Sequence, residues 1–456
     1  METIPTTTAS NIWQTSKFLV KGMIIAVLAL LLLIPTYYVQ NLVKEREGRQ
    51  KEAVTEVSSK WASRQTITGP IVVLPYWNYG SETDKLKVPL KQYAYFLPDN
   101  LNVNSEVTPV KKHRGIYSVM LYSSETAIDG TFKEISPSAL NINDSNIIWN
   151  EVFVKIHISD SRGLTNELSI KWKDTTLLLT PQSGDDNENI PSLSAVLTAT
   201  SLNDLKDISF STRIGLKGSE KILFTPIGKL TTVNLKSTWS DPSFTGGRLP
   251  DTSNIGKNGF TATWRSLSHN RFFPQQWKGS QYLIGDIIPL EIGAAGDTGT
   301  RVLSGYSFGA DLFVPVNGYQ KTMRSVKYAI LCILLTFTAF FLIETVNKKS
   351  VHPLNYALIG FALILFYTLL LSFSEYIGFN TAYAIAALAT VGLIAWFVRG
   401  LLDSMRLSLL LSFVLVLTYS YVFTILQLQD YALLLGSVGL FIALAIVMRF
   451  SRKIKW

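Results

Sequence analysis

The rhythm of polar and apolar positions changes four times along the chain. A polar, Thr/Ser-rich start (1–17) gives way to an apolar run, 18–38. At about 20 residues the run is long enough for a helix to cross roughly 30 Å of hydrocarbon. Lys17 and Lys21 flank its beginning, and Pro-Thr-Tyr-Tyr stands where a cleavable leader would carry a small-x-small site, so it reads as an uncleaved anchor. Over 39–62, Val39, Leu42, Val43, Val54, Val57 and Trp61 recur at three- and four-residue spacing with charges between them. That is the pattern of a charged helix leaving the membrane. Gly69-Pro70 stops it.

From residue 70 the period shortens to two. IVVLPYW (71–77), QYAYFL (92–97), GIYSVMLYSS (115–124), IIWNEVFVKIHI (147–158) and LSIKW (168–172) are rich in β-branched and aromatic residues. So are TLLLT (176–180), KILFTPI (221–227), LTTVNLKSTW (230–239), GFTATW (259–264) and ADLFVPV (310–316). Turn residues separate them, and many alternate in and out. They predict a β-rich soluble domain over 39–327, of sandwich type, with the stretch 181–206 as a mobile loop or subdomain joint. The rhythm then disappears into apolar runs at 328–346, 354–373, 380–398, 406–426 and 431–448. The expectation is a membrane protein with six transmembrane α-helices, one N-terminal and five C-terminal (328–448), and a large inserted β-rich soluble domain.

Charge orients this plan. Only 16% of residues are charged, against about a quarter in soluble domains, and the deficit lies in the C-terminal runs. The connections 347–353 and 399–406 carry two basic residues each, and the tail 449–456 carries four. The alternate connections, around 374–379 and 427–430, carry no Lys or Arg. Basic loops stay in the cytoplasm, which places the C-terminus there and, with six spans, the N-terminus too; the inserted domain then lies outside. Lys44, Arg46, Arg49 and Lys51, and Lys321, Arg324 and Lys327, fall on the opposite side, where a long translocated domain escapes the rule.

Composition also excludes. The net charge is +9, but no Lys/Arg cluster interleaves with aromatics on a compact module, so no nucleic-acid partner is expected. The single cysteine, Cys332, lies in a predicted span, which rules out an intrachain disulfide and a cysteine-based zinc site. His113, His157, His269 and His352 form no close pair and have no acidic cluster beside them, so neither metal nor cofactor is expected.

Four segments could carry function. GYSFG (305–309) fits G-x-S-x-G around Ser307, but a strand follows it where a nucleophile elbow needs a helix. SDSRGL (159–164) pairs Asp160 with Arg162 as a candidate structural ion pair. STWSDPSFTGGRLP (237–250) and HNRFFPQQW (269–277) supply Trp239, Phe244, Arg271, Phe273 and Trp277 as a candidate partner-contact surface of exposed aromatics. Charges within the spans are scarce. Glu344 is expected to reach water beside Lys348 and Lys349, and Glu375, Arg399, Asp403 and Asp430 fall in connections. No matching pair of Gly/Pro-broken spans marks a midplane transport site.

The chain resembles the CreD inner-membrane protein family, also called cell envelope integrity proteins. The resemblance is carried by GPIVVLPY (69–76), FLPDNL (96–101), RGIYSVMLY (114–122), GTF (130–132), SDSRGL, WSDPSFTGGRLP (239–250) and GFTATWRS (259–266). It continues through VNGYQKTMRSVKYAILCILLTFTAFFLIETV (316–346), HPLNY (352–356), LSFSEYIGFN (371–380) and DYALLLGS (430–437). It runs from about residue 18 to the end, omitting the 181–206 loop. It implies a Gram-negative inner-membrane protein with a periplasmic domain, tied to envelope integrity, to a two-component regulatory system and to tolerance of envelope-acting toxins. It brings no enzymatic activity and no catalytic residues. The expected function is non-enzymatic: the periplasmic domain binds a protein, peptidoglycan or lipid partner, and the helices sit in the lipid bilayer to anchor or couple it. The alternative is an enzyme or transporter acting on an envelope lipid or glycan, which would need a polar cavity lined by residues such as Arg271, Arg324 and Lys327.

Overall fold

The first apolar run and the charged segment after it form one continuous helix, α1 (Val20–Trp61). The computed structural model describes residues 20–79, 89–182, 192–285, 301–312, 318–347, 349–428 and 431–451. The N-terminal tail 1–17, residues 183–191 of the 181–206 stretch and residues 452–456 of the basic tail lie outside the described residues. The chain divides into two compact units, Ala53–Pro315 and, around it in sequence, Met1–Glu52 with Val316–Trp456.

The strands of the inserted unit are β1 (Gln65–Asn78), β2 (Leu90–Phe96), β3 (Asn100–Arg114), β4 (Tyr117–Phe132), β5 (Phe153–Ile158), β6 (Ser169–Trp172), β7 (Thr175–Leu178), β8 (Thr180–Gln182), β9 (Ser192–Val196) and β10 (Ile208–Ser219). They continue as β11 (Lys221–Phe224), β12 (Leu230–Ser237), β13 (Ser243–Gly246), β14 (Thr252–Gly256), β15 (Gly259–Leu267), β16 (Gln276–Lys278), β17 (Tyr282–Leu283), β18 (Arg301–Val302) and β19 (Phe308–Asp311). Among the described residues, nine make one sheet: β13-β19-β11-β1-β5-β9-β8, with β2 on β1 and β16 on β2. Eight make another, β14-β15-β12-β3-β4-β10-β6-β7.

The eight-stranded sheet follows the two-residue period. Val233, Leu235, Phe260, Ala262 and Trp264 point inward, and Asn234, Lys236, Thr261 and Arg265 point out. In the nine-stranded sheet, β1 is buried from Gln65 to Tyr76 and β5 throughout. Strands covered on both faces read as continuous apolar runs, as IVVLPYW does. The two sheets share one hydrophobic core. Trp264 stacks on Phe308 across it at 5.6 Å, and Phe244 meets Phe260 and Trp264 edge-on at 5.7 and 5.6 Å. A two-sheet sandwich is the result.

The helices of the other unit are α2 (Gly318–Lys327), α3 (Ala329–Val346), α4 (Pro353–Ile377), α5 (Phe379–Leu402), α6 (Met405–Gln427) and α7 (Ala432–Ser451). Among the described residues five helices are long and apolar enough to cross a membrane: α1, α3, α4, α5 and α6. The sixth expected span, 431–448, falls on the 20-residue helix α7, whose apolar stretch among the described residues is Leu434–Ile446.

Hydrocarbon is as apolar as leucine, so small residues and interhelical hydrogen bonds hold such helices together. Gly360 on α4 lets α1 approach: a Cβ there would lie 2.2 Å from Leu32 Cδ1. Tyr383 donates its hydroxyl to the Tyr419 carbonyl at 2.8 Å, and Ser408 to the Ala395 carbonyl at 2.7 Å. Phe366 packs among the rings of Tyr367, Tyr383 and Tyr419, with centroids 4.5–5.2 Å away. Leu388, Trp396, Phe413 and Phe441 point outward from the helical unit.

Candidate functional site

The helical unit holds two partnered carboxylates near helix ends, one buried and one half-buried. Glu344, in the last turn of α3, is only 4% exposed, which corrects the expectation that it reaches water. The reason is local: the connection after α3 folds back over it. Its Oε1 accepts from Lys21 Nζ and, at 2.9 Å, from the Val351 amide; its Oε2 accepts from the Tyr356 hydroxyl at 2.6 Å. Glu375 lies within α4, not in a connection. The Tyr319 hydroxyl donates to its Oε1 at 2.9 Å, and Arg46 Nη1 stands 4.0 Å from Oε2. Lys21 and Arg46 lie about 37 Å apart along α1 at the usual rise of about 1.5 Å per residue. That matches a bilayer's hydrocarbon and part of its two interfaces. Both ends of the first span are therefore tied by charge to the helices after the sandwich.

In the sandwich, the segments 237–250 and 269–277 do not present the open aromatic surface expected of them. Phe273 and Trp277 are buried, with Trp277 stacked on Tyr95 at 5.2 Å. Arg271 is buried too; it donates from Nη2 to Gln275 Oε1 at 2.5 Å and lies 4.2 Å from the Phe273 ring centre. Loss of water around it pushes the guanidinium down to about 10. Trp239 and Phe244 are half-buried against the core, and the Trp239 indole donates to the Asp241 carbonyl at 2.9 Å. The open ring of this region is Phe272, at 75% exposure. The chain bends at 271–273, turning the Phe272 ring out and the Phe273 ring in.

Asp160 and Arg162 meet in a two-point ion pair, Nε to Oδ1 at 2.8 Å and Nη2 to Oδ2 at 2.7 Å. Arg162 Nη1 also donates to the Ser59 carbonyl in the last turn of α1, at 2.8 Å, and Asp160 Oδ2 accepts the Ser63 amide at 2.9 Å. The pair thus caps the end of α1 and seats it on β1. The Arg162 hydrogen bonds hold the Asp160 carboxyl at about 2, against the opposing effect of burial. Ser307 is buried, with its Oγ 2.8 Å from Thr225 Oγ1, and the strand β19 follows it. His157 is buried in β5, and no cluster of metal-ligating side chains occurs among the described residues.

An open groove of about 760 Å³ lies elsewhere on the sandwich, lined by Trp77, Trp149, Ile148, Val196, Asn150, Thr198 and their neighbours. Its size is in the usual range of ligand clefts, roughly 300–1,000 Å³. Trp77 sits where β1 leaves the core and is 38% exposed. Trp149 opens a short 3-10 turn, Trp149–Glu151, which is drawn to β1 by the Ile148 amide donating to the Pro75 carbonyl at 2.9 Å. The third wall is the end of β9 and the residues after it. The Leu197 amide donates to the Val152 carbonyl at 2.7 Å, and Asp204 takes the Thr200 and Ser201 amides at 2.9 and 3.0 Å. Among the described residues no Lys, Arg, Asp or Glu lines the groove. The sequence pattern hid it. IIWNEVFVKIHI reads as one strand, but β5 begins only at Phe153, and the residues before it form turns that leave Trp149 half-buried at the edge of the groove. The readable sign was Trp77, a large ring closing an otherwise apolar run beside Asn78.

Comparison with known proteins follows this architecture over nearly the whole chain. The family model described as "Inner membrane protein CreD" matches residues 17–456. The chain is also 29% identical, over 434 residues, to Inner membrane protein CreD of Escherichia coli (strain K12), covering 94% of this chain and 91% of that protein.

Proposed function

This chain belongs to the CreD family of inner-membrane proteins, and from that premise we propose that it supports the integrity of the cell envelope without catalysing a reaction. The sandwich lies in the periplasm and binds an envelope partner; the helices anchor it or couple it to the membrane. Termini in the cytoplasm follow from the basic connections 347–353 and 399–406 and the tail 449–456, with α7 as the sixth span. The observation that carries the binding role is the Trp77–Trp149 groove, an open depression on the sandwich edged by the exposed Trp77 and the half-buried Trp149.

The test is rescue of a deletion strain, scored as survival in detergent and envelope-targeting toxins. The full chain restores tolerance; the full chain carrying Trp77→Ala and Trp149→Ala, present in equal amount, does not. Full rescue by the double variant removes the groove from the function.

A second reading, an enzyme or transporter acting on an envelope lipid or glycan, is favoured by the part-buried Lys21–Glu344 pair, since ionisable groups within spans often mark pathways. It requires that Lys21→Met with Glu344→Gln abolish rescue in a protein that is still inserted and folded. Retained rescue leaves the pair a structural one.

A further inference from the structure

The groove's chemistry narrows the partner. Its base is aromatic and aliphatic: Trp77, Trp149, Ile148 and Val196, the last 56% exposed. Its polar lining is uncharged: Ser145, Asn150, Thr198 and Thr200. Among the described residues neither indole N–H donates to a protein acceptor, and neither ring packs on another ring. Two indole donors, the 38%-exposed ring of Trp77 and the outer surface of the half-buried Trp149 are thus left to an occupant. A flat apolar face edged by neutral acceptors is what they fit. Among the described residues that line it, an anionic lipid headgroup or a charged peptide would meet no opposite charge. A sugar ring satisfies both demands: its C–H face lies on an aromatic ring, and its hydroxyl or acetamido oxygens accept hydrogen bonds at the edge.

We propose that the Trp77–Trp149 groove binds a neutral glycan chain, with successive sugar rings against the two indoles and their oxygens accepting from the indole N–H groups, Asn150 and Thr198. This rests on the reading of the sandwich as the binding unit and names its partner class.

The experiment titrates the purified full chain, held in lipid nanodiscs, with the β-1,4-linked hexamer of N-acetylglucosamine, followed by calorimetry and by saturation transfer from protein to sugar protons. Saturable binding is expected. Trp77→Ala and Trp149→Ala should each weaken it by roughly tenfold, as loss of an aromatic anchor does, and the double variant should abolish it. Phenylalanine at either position keeps the stacking face but not the N–H and should fall between. Thermal unfolding of each variant separates lost binding from lost fold. Absence of saturable binding to the native chain, or unchanged binding by a folded double variant, overturns the glycan assignment. The rescue assay keeps the two readings apart. A folded double variant that fails to rescue, in a protein that binds no glycan, leaves the groove functional with a protein partner; one that rescues fully takes the groove out of the function altogether.

Discussion

Asp160 in the sandwich and Glu344 among the helices are both buried carboxylates set against a basic side chain, 8% and 4% exposed. Their surroundings make them different objects. Asp160 accepts the amides of Ser63, just past α1, and of Arg162, whose guanidinium donates to the Ser59 carbonyl in the last turn of α1 while 62% of its side chain stays in water. Glu344 accepts from an amide, a tyrosine and Lys21, whose side chain is 20% exposed. In the water-facing unit, apolar contact supplies the core, and the ion pair finishes a local corner. In the lipid-facing unit, apolar contact gains little over lipid itself, so the polar contacts carry more of the assembly. The same contrast governs exposed apolar side chains. Among the helices they are ordinary lipid contacts, whereas on the sandwich an open tryptophan is a signal.

The largest test of this contrast is Glu344→Gln. It leaves the Lys21 charge among the helices with a neutral partner, and since Lys21 is 20% exposed the cost lies at the lower end of the about 3–5 kcal/mol for breaking a buried pair. The expected readout is a large drop in the melting temperature of the full chain in micelles, partly restored when Lys21→Met is added. If Glu344→Gln melts with the native chain, the carboxylate is not holding α1 to the helices.

Next in size is a matched pair of apolar-to-charge changes. Leu249 on the sandwich and Leu388 on α5 are 70% and 71% exposed, so exposure alone predicts the same result for both. Leu249→Asp should stay within about 0.5 kcal/mol of the native stability. Leu388→Asp should cost about 2.5–3.5 kcal/mol near a span's centre and lower the amount of inserted protein. Equal behaviour of the two variants, measured by membrane fractionation and melting, would mean that α5 does not face lipid at Leu388.

Sequence carried the large-scale plan because that plan is written in local patterns. Apolar length marks α1, α3, α4, α5 and α6, and the two-residue period marks β12 and β15. It missed what depends on distant partners. Glu344 meets Lys21 across 323 positions, and no window of the chain contains both. The groove joins the end of β1, the turn at Trp149 and the end of β9, three places whose meeting is decided by sheet order. Phe272 and Phe273 show the finest limit. Composition locates an aromatic pair, and only the backbone says which ring faces out.

The smallest effect, and the one that separates the two carboxylates most cleanly, is the pH dependence contributed by Asp160. Its carboxyl sits at about 2 in the folded chain against an ordinary 3.8, chiefly through hydrogen bonds from Arg162. A depressed carboxyl pKa stabilises the fold above the unfolded value, and that contribution is lost as pH falls toward the folded one. The native chain should therefore lose about 1 kcal/mol between roughly pH 4 and pH 2 from this group, less than the full shift implies because Arg162 is open to solvent and screened. Asp160→Asn lacks the contribution at every pH. Its unfolding free energy should lie below the native value at pH 6 and converge with it near pH 2, and added salt should narrow the gap at pH 6. A gap that stays constant down to pH 2 would mean that Asp160 acts through shape and neutral hydrogen bonds, and the contrast with Glu344 would then rest on burial alone.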